Sequence, residues 1–240
     1  YFILLFFVPE SPRFLIKMGK TDNATVILKR TGVKDTSSEI SNIQNSLNIK
    51  EGNLFSRIYT KPIAIAFLVA MFNQFCGINA VLYFAPRIFQ LAGLPESPAF
   101  FHPVIIGATN ALFTFLGLFI VDKVGRRTLL IIGSIGMTIC LSLVSFTFFS
   151  KDGESSGLLY FLVGYIMFFA VSTGTVIWIL ISEVFPTSVR GKGQSFGSFT
   201  HWFFAALITF LFPVISSGFT YGAAWMFAFF AVMMVVQAFT

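Results

Sequence analysis

Six stretches of this sequence, at about 62–91, 103–122, 128–149, 158–185, 194–217 and 221–240, run apolar for roughly the 20 residues that a helix needs to cross the hydrocarbon core of a bilayer. Backbone groups cannot stay unpaired in that core, so each stretch has to be helical and the chain an all-α, multi-pass membrane protein. At 56% hydrophobic and 11% charged, with a mean hydropathy of +0.83, the composition excludes an ordinary soluble domain. A shorter apolar run at 1–8 is expected to be the end of a further helix that begins upstream, and the last run is still apolar where the sequence stops. The chain is therefore expected to be part of a longer protein.

Residues 9–61 form a polar segment with short apolar periodicities such as TVILKR and EISNIQNSLNI, which predict a few short amphipathic helices on one membrane face. Ser11 followed by Pro12 has the chemistry of an N-cap and first helical position. Of the 16 Lys and Arg residues, 14 lie in this segment and in two short loops on the same side (Lys123, Arg126 and Arg127; Arg190 and Lys192). The positive-inside rule makes that side cytoplasmic and leaves Arg87 and Lys151 opposite. The net charge of +6 thus follows from topology and does not indicate a nucleic-acid partner. Cys76 and Cys140 sit within apolar spans at no metal-ligand or disulfide spacing, and no metal or cofactor is expected.

The segment NQFCGINAVLYF, Asn73 to Phe84, is the exception inside its span. Unpaired amides in hydrocarbon cost several kcal/mol, so Asn73, Gln74 and Asn79 either bond neighbouring helices together or face a wet path. Gln74 and Asn79 stand five residues apart, roughly 140° around an ideal helix, and would diverge on a straight one. Gly77 between them offers a place to bend.

Four motifs fall at intervals that fit this topology: PESPRFL (Pro9 to Leu15), NQFCGINAVLYF, DKVGRRTLL (Asp122 to Leu130) and WILISEVFPTSVRGKG (Trp178 to Gly193). In this order and on these sides of the membrane they resemble the sugar porter family of the major facilitator superfamily. The resemblance implies the C-terminal six-helix half of a twelve-helix fold, with 1–8 ending helix 6, 9–61 an intracellular helical segment and 62–240 helices 7 to 12. Its partners would be the N-terminal half, the lipid bilayer and a monosaccharide held at midplane between the halves, with protons as a further candidate.

The same resemblance carries sugar contacts onto Gln74, Asn79, Asn73, Asn110, Trp178, His201 and Trp202, and an outer gate onto Tyr83 and Phe84. Amides suit a sugar because each both donates and accepts, and an indole offers a flat face to C–H groups. Asn73 replaces the Gln most often found in the family, and His201 replaces an Asn or Gln; a neutral imidazole can still donate and accept, but it titrates near neutrality. Glu10, Arg13, Asp122, Arg126, Arg127, Glu183 and Arg190 are implied to form ion pairs of a cytoplasmic gate. Glu183, an acid at the end of a helix, needs such a pairing more than the basic residues do.

No HExxH, P-loop or paired intramembrane carboxylate is present, so an enzyme is not expected. The resemblance implies transport of a monosaccharide, such as the hexose glucose, across a plasma or inner membrane by uniport or proton symport. A non-transporting sugar sensor of the same fold and an inactive half-transporter are the alternatives.

Overall fold

The computed structural model describes residues 8–47, 52–93, 96–150 and 157–240. The helix end expected over 1–8 lies outside the described residues except for Val8. The chain divides into two compact units, residues 1–53 with 187–189, and residues 54–186 with 190–240.

The first unit contains α1 (Pro12–Lys17), α2 (Thr21–Arg30) and α3 (Thr36–Leu47). Ser11 caps α1, its hydroxyl accepting from the Phe14 N–H at 3.1 Å, with Pro12 at the first turn where no N–H is missed. Leu15, Ile16 and Ala24 are buried against Ile27, Ile40, Ile43 and Leu47, which gives three short helices one small common core. Asp35 opens α3: its carboxylate accepts from the Ser38 N–H at 3.0 Å and the Ser37 hydroxyl at 2.8 Å, and these bonds hold its carboxyl below the usual range. The cap is complete above the unfolded value of about 3.9 and is lost as pH falls through the lower folded value.

The second unit contains α4 (Thr60–Phe75), α5 (Ile78–Leu91), α6 (Glu96–Val124), α7 (Arg126–Phe149), α8 (Leu158–Val171), α9 (Thr173–Glu183), α10 (Arg190–Gly218) and α11 (Gly222–Phe239). Among the described residues six helical crossings are long and apolar enough to span a membrane, α4 with α5 and α8 with α9 each counting as one. The protein is an integral membrane protein. Its core is made by Phe72, Val81, Phe89, Leu141, Tyr165, Phe212 and Phe230, among others, while large apolar side chains such as Leu112, Phe115 and Phe119 on α6 are exposed, as suits a surface in lipid. Between helices that both face hydrocarbon, close approach and hydrogen bonds replace the hydrophobic effect as glue. Ser145 on α7 donates to the Ala224 carbonyl of α11 at 2.8 Å, and a Cβ at Gly133 would overlap the Ser172 side chain.

Two crossings are broken, and both breaks sit at mid-span. At 62–91 the helix stops at Phe75, Gly77 adopts φ +86°, and α5 begins at Ile78; a second distortion at Phe84 (φ −110°, ψ 17°) precedes Pro86. At 158–185, which the hydropathy alone draws as one helix, Ser172 leaves helical geometry at φ −104° and ψ −98°. Here a run of polar and small residues, Ser172, Thr173 and Gly174, does what proline does elsewhere: the Ser172 hydroxyl turns back onto the Phe168 carbonyl and competes with the helical ladder.

Gly77 tests the first break. A Cβ there would collide with the Phe230 ring in a backbone conformation that side chains avoid. Gly77→Ala is expected to cost at least about 1–3 kcal/mol, read as a lowered melting temperature of the detergent-solubilised protein.

Candidate functional site

The break at Gly77 frees peptide groups in the middle of the bundle, and two of their carbonyls are taken up by side chains. The Cys76 carbonyl, outside both helices, accepts from the Tyr165 hydroxyl of α8 at 3.0 Å, and the Cys76 thiol donates to the Asn73 carbonyl at 2.9 Å. Tyr165 is fully buried, so it closes a polar contact that no water could reach. Sequence reasoning passed over Tyr165; the run LLYFLVGYIMFF carries two phenols, Tyr160 and Tyr165, and nothing in it separates the exposed one from the buried one.

Around this break three helices bring their amides and an imidazole together. Asn73 is buried and its Nδ2 donates to the backbone carbonyl of Thr173 on α9 at 3.4 Å. Gln74, 1% exposed, donates from Nε2 to Asn73 Oδ1 at 3.0 Å. The same Nε2 lies 3.1 Å from Nε2 and 3.2 Å from Nδ1 of His201 on α10. Asn79, half-buried on α5, donates from Nδ2 to Gln74 Oε1 at 2.9 Å. The left-handed turn at Gly77 is what allows Gln74 and Asn79, which a continuous helix would point apart, to meet.

Amide orientation is ordinarily ambiguous, but here it is dictated. A backbone carbonyl can only accept, so Asn73 must turn its N–H2 toward Thr173 and its oxygen toward Gln74. Gln74 must then present N–H2 to both Asn73 and His201 and its oxygen to Asn79. Spare capacity is left at Asn79 Oδ1, the second N–H of Asn79 and a lone pair of Gln74 Oε1, and also at the second N–H and second Oδ1 lone pair of the buried Asn73 and the other ring nitrogen of His201. Thr173 supplies a main-chain group to this chain of bonds, which no side-chain pattern could have flagged.

Trp178 on α9 stands with its ring centroid 4.9 Å from that of His201 and remains 45% exposed, an aromatic face beside the amides. Trp202 meets His201 edge to face at 5.2 Å and is mostly exposed. Asn110 on α6 forms no bond with this cluster, and its buried Oδ1 has no partner among the described residues. Tyr83 is exposed and Phe84 stacks on Phe212 at 5.6 Å.

The charges named from sequence separate into groups. Arg126, at the first position of α7, bridges Asp122 at the end of α6 (3.1 Å) and Glu183 at the end of α9 (3.0 Å). The guanidinium offsets two carboxylates at helix C-termini, where the dipole disfavours them. Arg127 does not join them and lines a mostly apolar cavity of about 350 Å³ with Leu130, Leu180 and Gln237. Arg190 donates from Nε to the Phe185 carbonyl at 3.3 Å. Glu10 and Arg13 belong to the first unit and are exposed. No cluster of His, Cys, Asp or Glu among the described residues could hold a metal ion.

A six-crossing helical unit, with two crossings broken at the level of a neutral polar cluster, is the architecture of one half of a secondary transporter. The family profile described as "Sugar (and other) transporter" matches residues 1–240, and the chain belongs to that family. It is 34% identical over 241 residues to the arabinose-proton symporter of Bacillus subtilis, covering 98% of this chain and 52% of the relative. It is 35% identical over 218 residues to the D-xylose-proton symporter of Escherichia coli, covering 90% of this chain and 44% of the relative. The chain thus spans about half the length of these relatives. A solved structure of the proton:xylose symporter XylE bound to 6-bromo-6-deoxy-D-glucose aligns with a TM-score of 0.83 at 31% identity, covering 99% of this chain and 51% of that one. An inward-open XylE structure aligns at 0.73 with 30% identity, covering 99% and 48%. The fold is one half of a major facilitator transporter.

Tyr165 supports the broken helix from behind the amide cluster. Tyr165→Phe keeps the ring and removes the bond to the Cys76 carbonyl, and is expected to cost about 1–3 kcal/mol, measured as thermal stability in detergent beside the unaltered protein.

Proposed function

We propose that this chain is the C-terminal half of a transporter that carries a monosaccharide, a pentose or a hexose such as glucose, across the membrane by alternating access. The observation that carries the reading is the neutral cluster of Asn73, Gln74, Asn79 and His201 beside the exposed ring of Trp178. A sugar offers hydroxyls that both donate and accept and a C–H face that an indole can cover, and this cluster offers the complement without any charge. Asn79 and the Gln74 oxygen take hydroxyls directly; Trp178 covers the apolar face; Asn73 holds the orientation of both amides. Asn110, whose oxygen has no partner among the described residues, and Trp202 complete the set of contacts, and Tyr83 with Phe84 form the outer gate.

The relatives named as proton symporters support coupling to protons. Segment 9–61 lies on the cytoplasmic face of a plasma or inner membrane, together with Arg126 and its two carboxylates. Those carboxylates are well exposed, Asp122 at 75% and Glu183 at 51%, so each pair is worth about 0.2–1 kcal/mol. Weak pairs suit a gate that must break and re-form in every cycle. Arg127 and Arg190, outside these ion pairs, add positive charge near the helix ends of the same unit, and Glu10 and Arg13 are charges of the cytoplasmic segment.

The test is counterflow of labelled D-xylose, L-arabinose and D-glucose in liposomes that hold the full transporter containing this chain. Gln74→Ala leaves Asn79, Asn73 and His201 without their shared partner and is expected to weaken sugar binding by about tenfold to a hundredfold, while the protein still elutes as a single species. Normal counterflow by that variant overturns the site. Sugar binding without counterflow in the unaltered protein overturns transport in favour of a sensor.

A further inference from the structure

Resting on the transport reading above, we propose that His201 is a positioning residue whose neutral ring fixes the direction of the Gln74 amide, so that protonating His201 withdraws the site from its sugar-binding form. The argument begins at the Thr173 carbonyl. That acceptor sets Asn73, Asn73 sets Gln74, and Gln74 therefore turns an N–H toward His201. A neutral imidazole always has one nitrogen without a proton, and both ring nitrogens lie within 3.2 Å of Gln74 Nε2, so either tautomer can accept the bond.

A doubly protonated ring presents N–H on both nitrogens, and no rotation of the ring restores an acceptor. The amide cannot escape by flipping either. Flipping would set the Gln74 oxygen against Asn73 Oδ1, and turning Asn73 to suit would set its oxygen against the Thr173 carbonyl, although Asn79 could turn with Gln74. Protonation therefore breaks the chain of bonds at Gln74 and displaces the oxygen that Asn79 holds. His201 acts on the sugar through Gln74, whether or not it also touches the ligand.

Among the described residues, the groups facing the ring are Gln74 from α4, Trp178 from α9 and Trp202 from its own helix, none of which titrates. Charges on these elements stand near their ends: Lys61 on α4, Glu183 on α9 bonded to Arg126, and Arg190 and Lys192 on α10. Cys76 and Tyr165, the other titratable groups beside the helix break, are bonded to each other. An imidazole that loses its one acceptor contact on protonation is thus left without a compensating carboxylate among these neighbours. Sugar binding and a neutral ring favour each other, so affinity falls as pH drops through the value at which His201 takes up its proton.

The experiment compares the full transporter with His201→Gln and His201→Leu, using equilibrium binding and counterflow of D-xylose, L-arabinose and D-glucose between about pH 5 and about pH 8, a range that spans the ordinary imidazole value of about 6.5. Counterflow carries no net proton requirement, and proton effects from elsewhere in the transporter appear equally in the variants. The unaltered protein should lose about tenfold more affinity toward acid than His201→Gln, whose amide oxygen accepts from Gln74 at every pH. His201→Gln, whatever its absolute affinity, should show the flatter pH profile, and His201→Leu, which removes the acceptor, should bind about tenfold more weakly than His201→Gln throughout. Identical pH profiles for the unaltered protein and His201→Gln overturn the proposal and leave transport standing. So does alkaline affinity in His201→Leu equal to that of the unaltered protein. Absence of binding and counterflow in the unaltered protein with all three sugars at every pH overturns the transport reading itself, and this proposal with it.

Discussion

A peptide group released from a helix in the middle of a membrane must find a partner inside the protein, because hydrocarbon offers none. At Cys76 and Gly77 this protein meets that requirement with a side chain from another crossing, the Tyr165 hydroxyl. The polar cluster depends on that contact. Without the break, Asn79 would point roughly 140° away from Gln74; with it, their amides are 2.9 Å apart. The Phe230 ring, packed where a Cβ of residue 77 would lie, leaves room for glycine alone.

From that point polarity propagates by elimination. One backbone carbonyl, that of Thr173, determines which way Asn73 faces, and each partner then has a single orientation that satisfies it. A polar network buried in low dielectric gains from completeness and is weakened at any gap. The second broken crossing matters here too, since Ser172 marks the boundary at which α9 begins and its first residue, Thr173, offers its carbonyl across to Asn73. The two distorted crossings are joined by two hydrogen bonds onto backbone carbonyls, Asn73 to Thr173 and Tyr165 to Cys76.

Much of this architecture was legible in the residues because the membrane restricts the choices so severely. Hydropathy alone gives six crossings, and the placement of Lys and Arg gives the direction expected for them. Asn73, Gln74 and Asn79 stand out as amides in an apolar run, and Gly77 marks the bend between them. The break at Ser172 was not legible, since its cause is a hydroxyl turning onto the preceding helical turn and not a proline. Nor was Thr173, whose contribution is a main-chain oxygen common to every residue. The charges show the same limit. Motif position groups seven residues as one gate, but side-chain geometry joins Asp122, Arg126 and Glu183 and leaves Arg127 and Arg190 with other surroundings.

The central claim is that the amide cluster at the Gly77 break is where the sugar sits. The most direct measurement is a structure of the full transporter with D-xylose bound. The account predicts sugar hydroxyls within hydrogen-bond distance of Asn79 and of the Gln74 oxygen, with the Trp178 ring against the sugar's C–H face. A sugar bound elsewhere, with Asn73, Gln74, Asn79 and His201 still bonded only to one another, would contradict it.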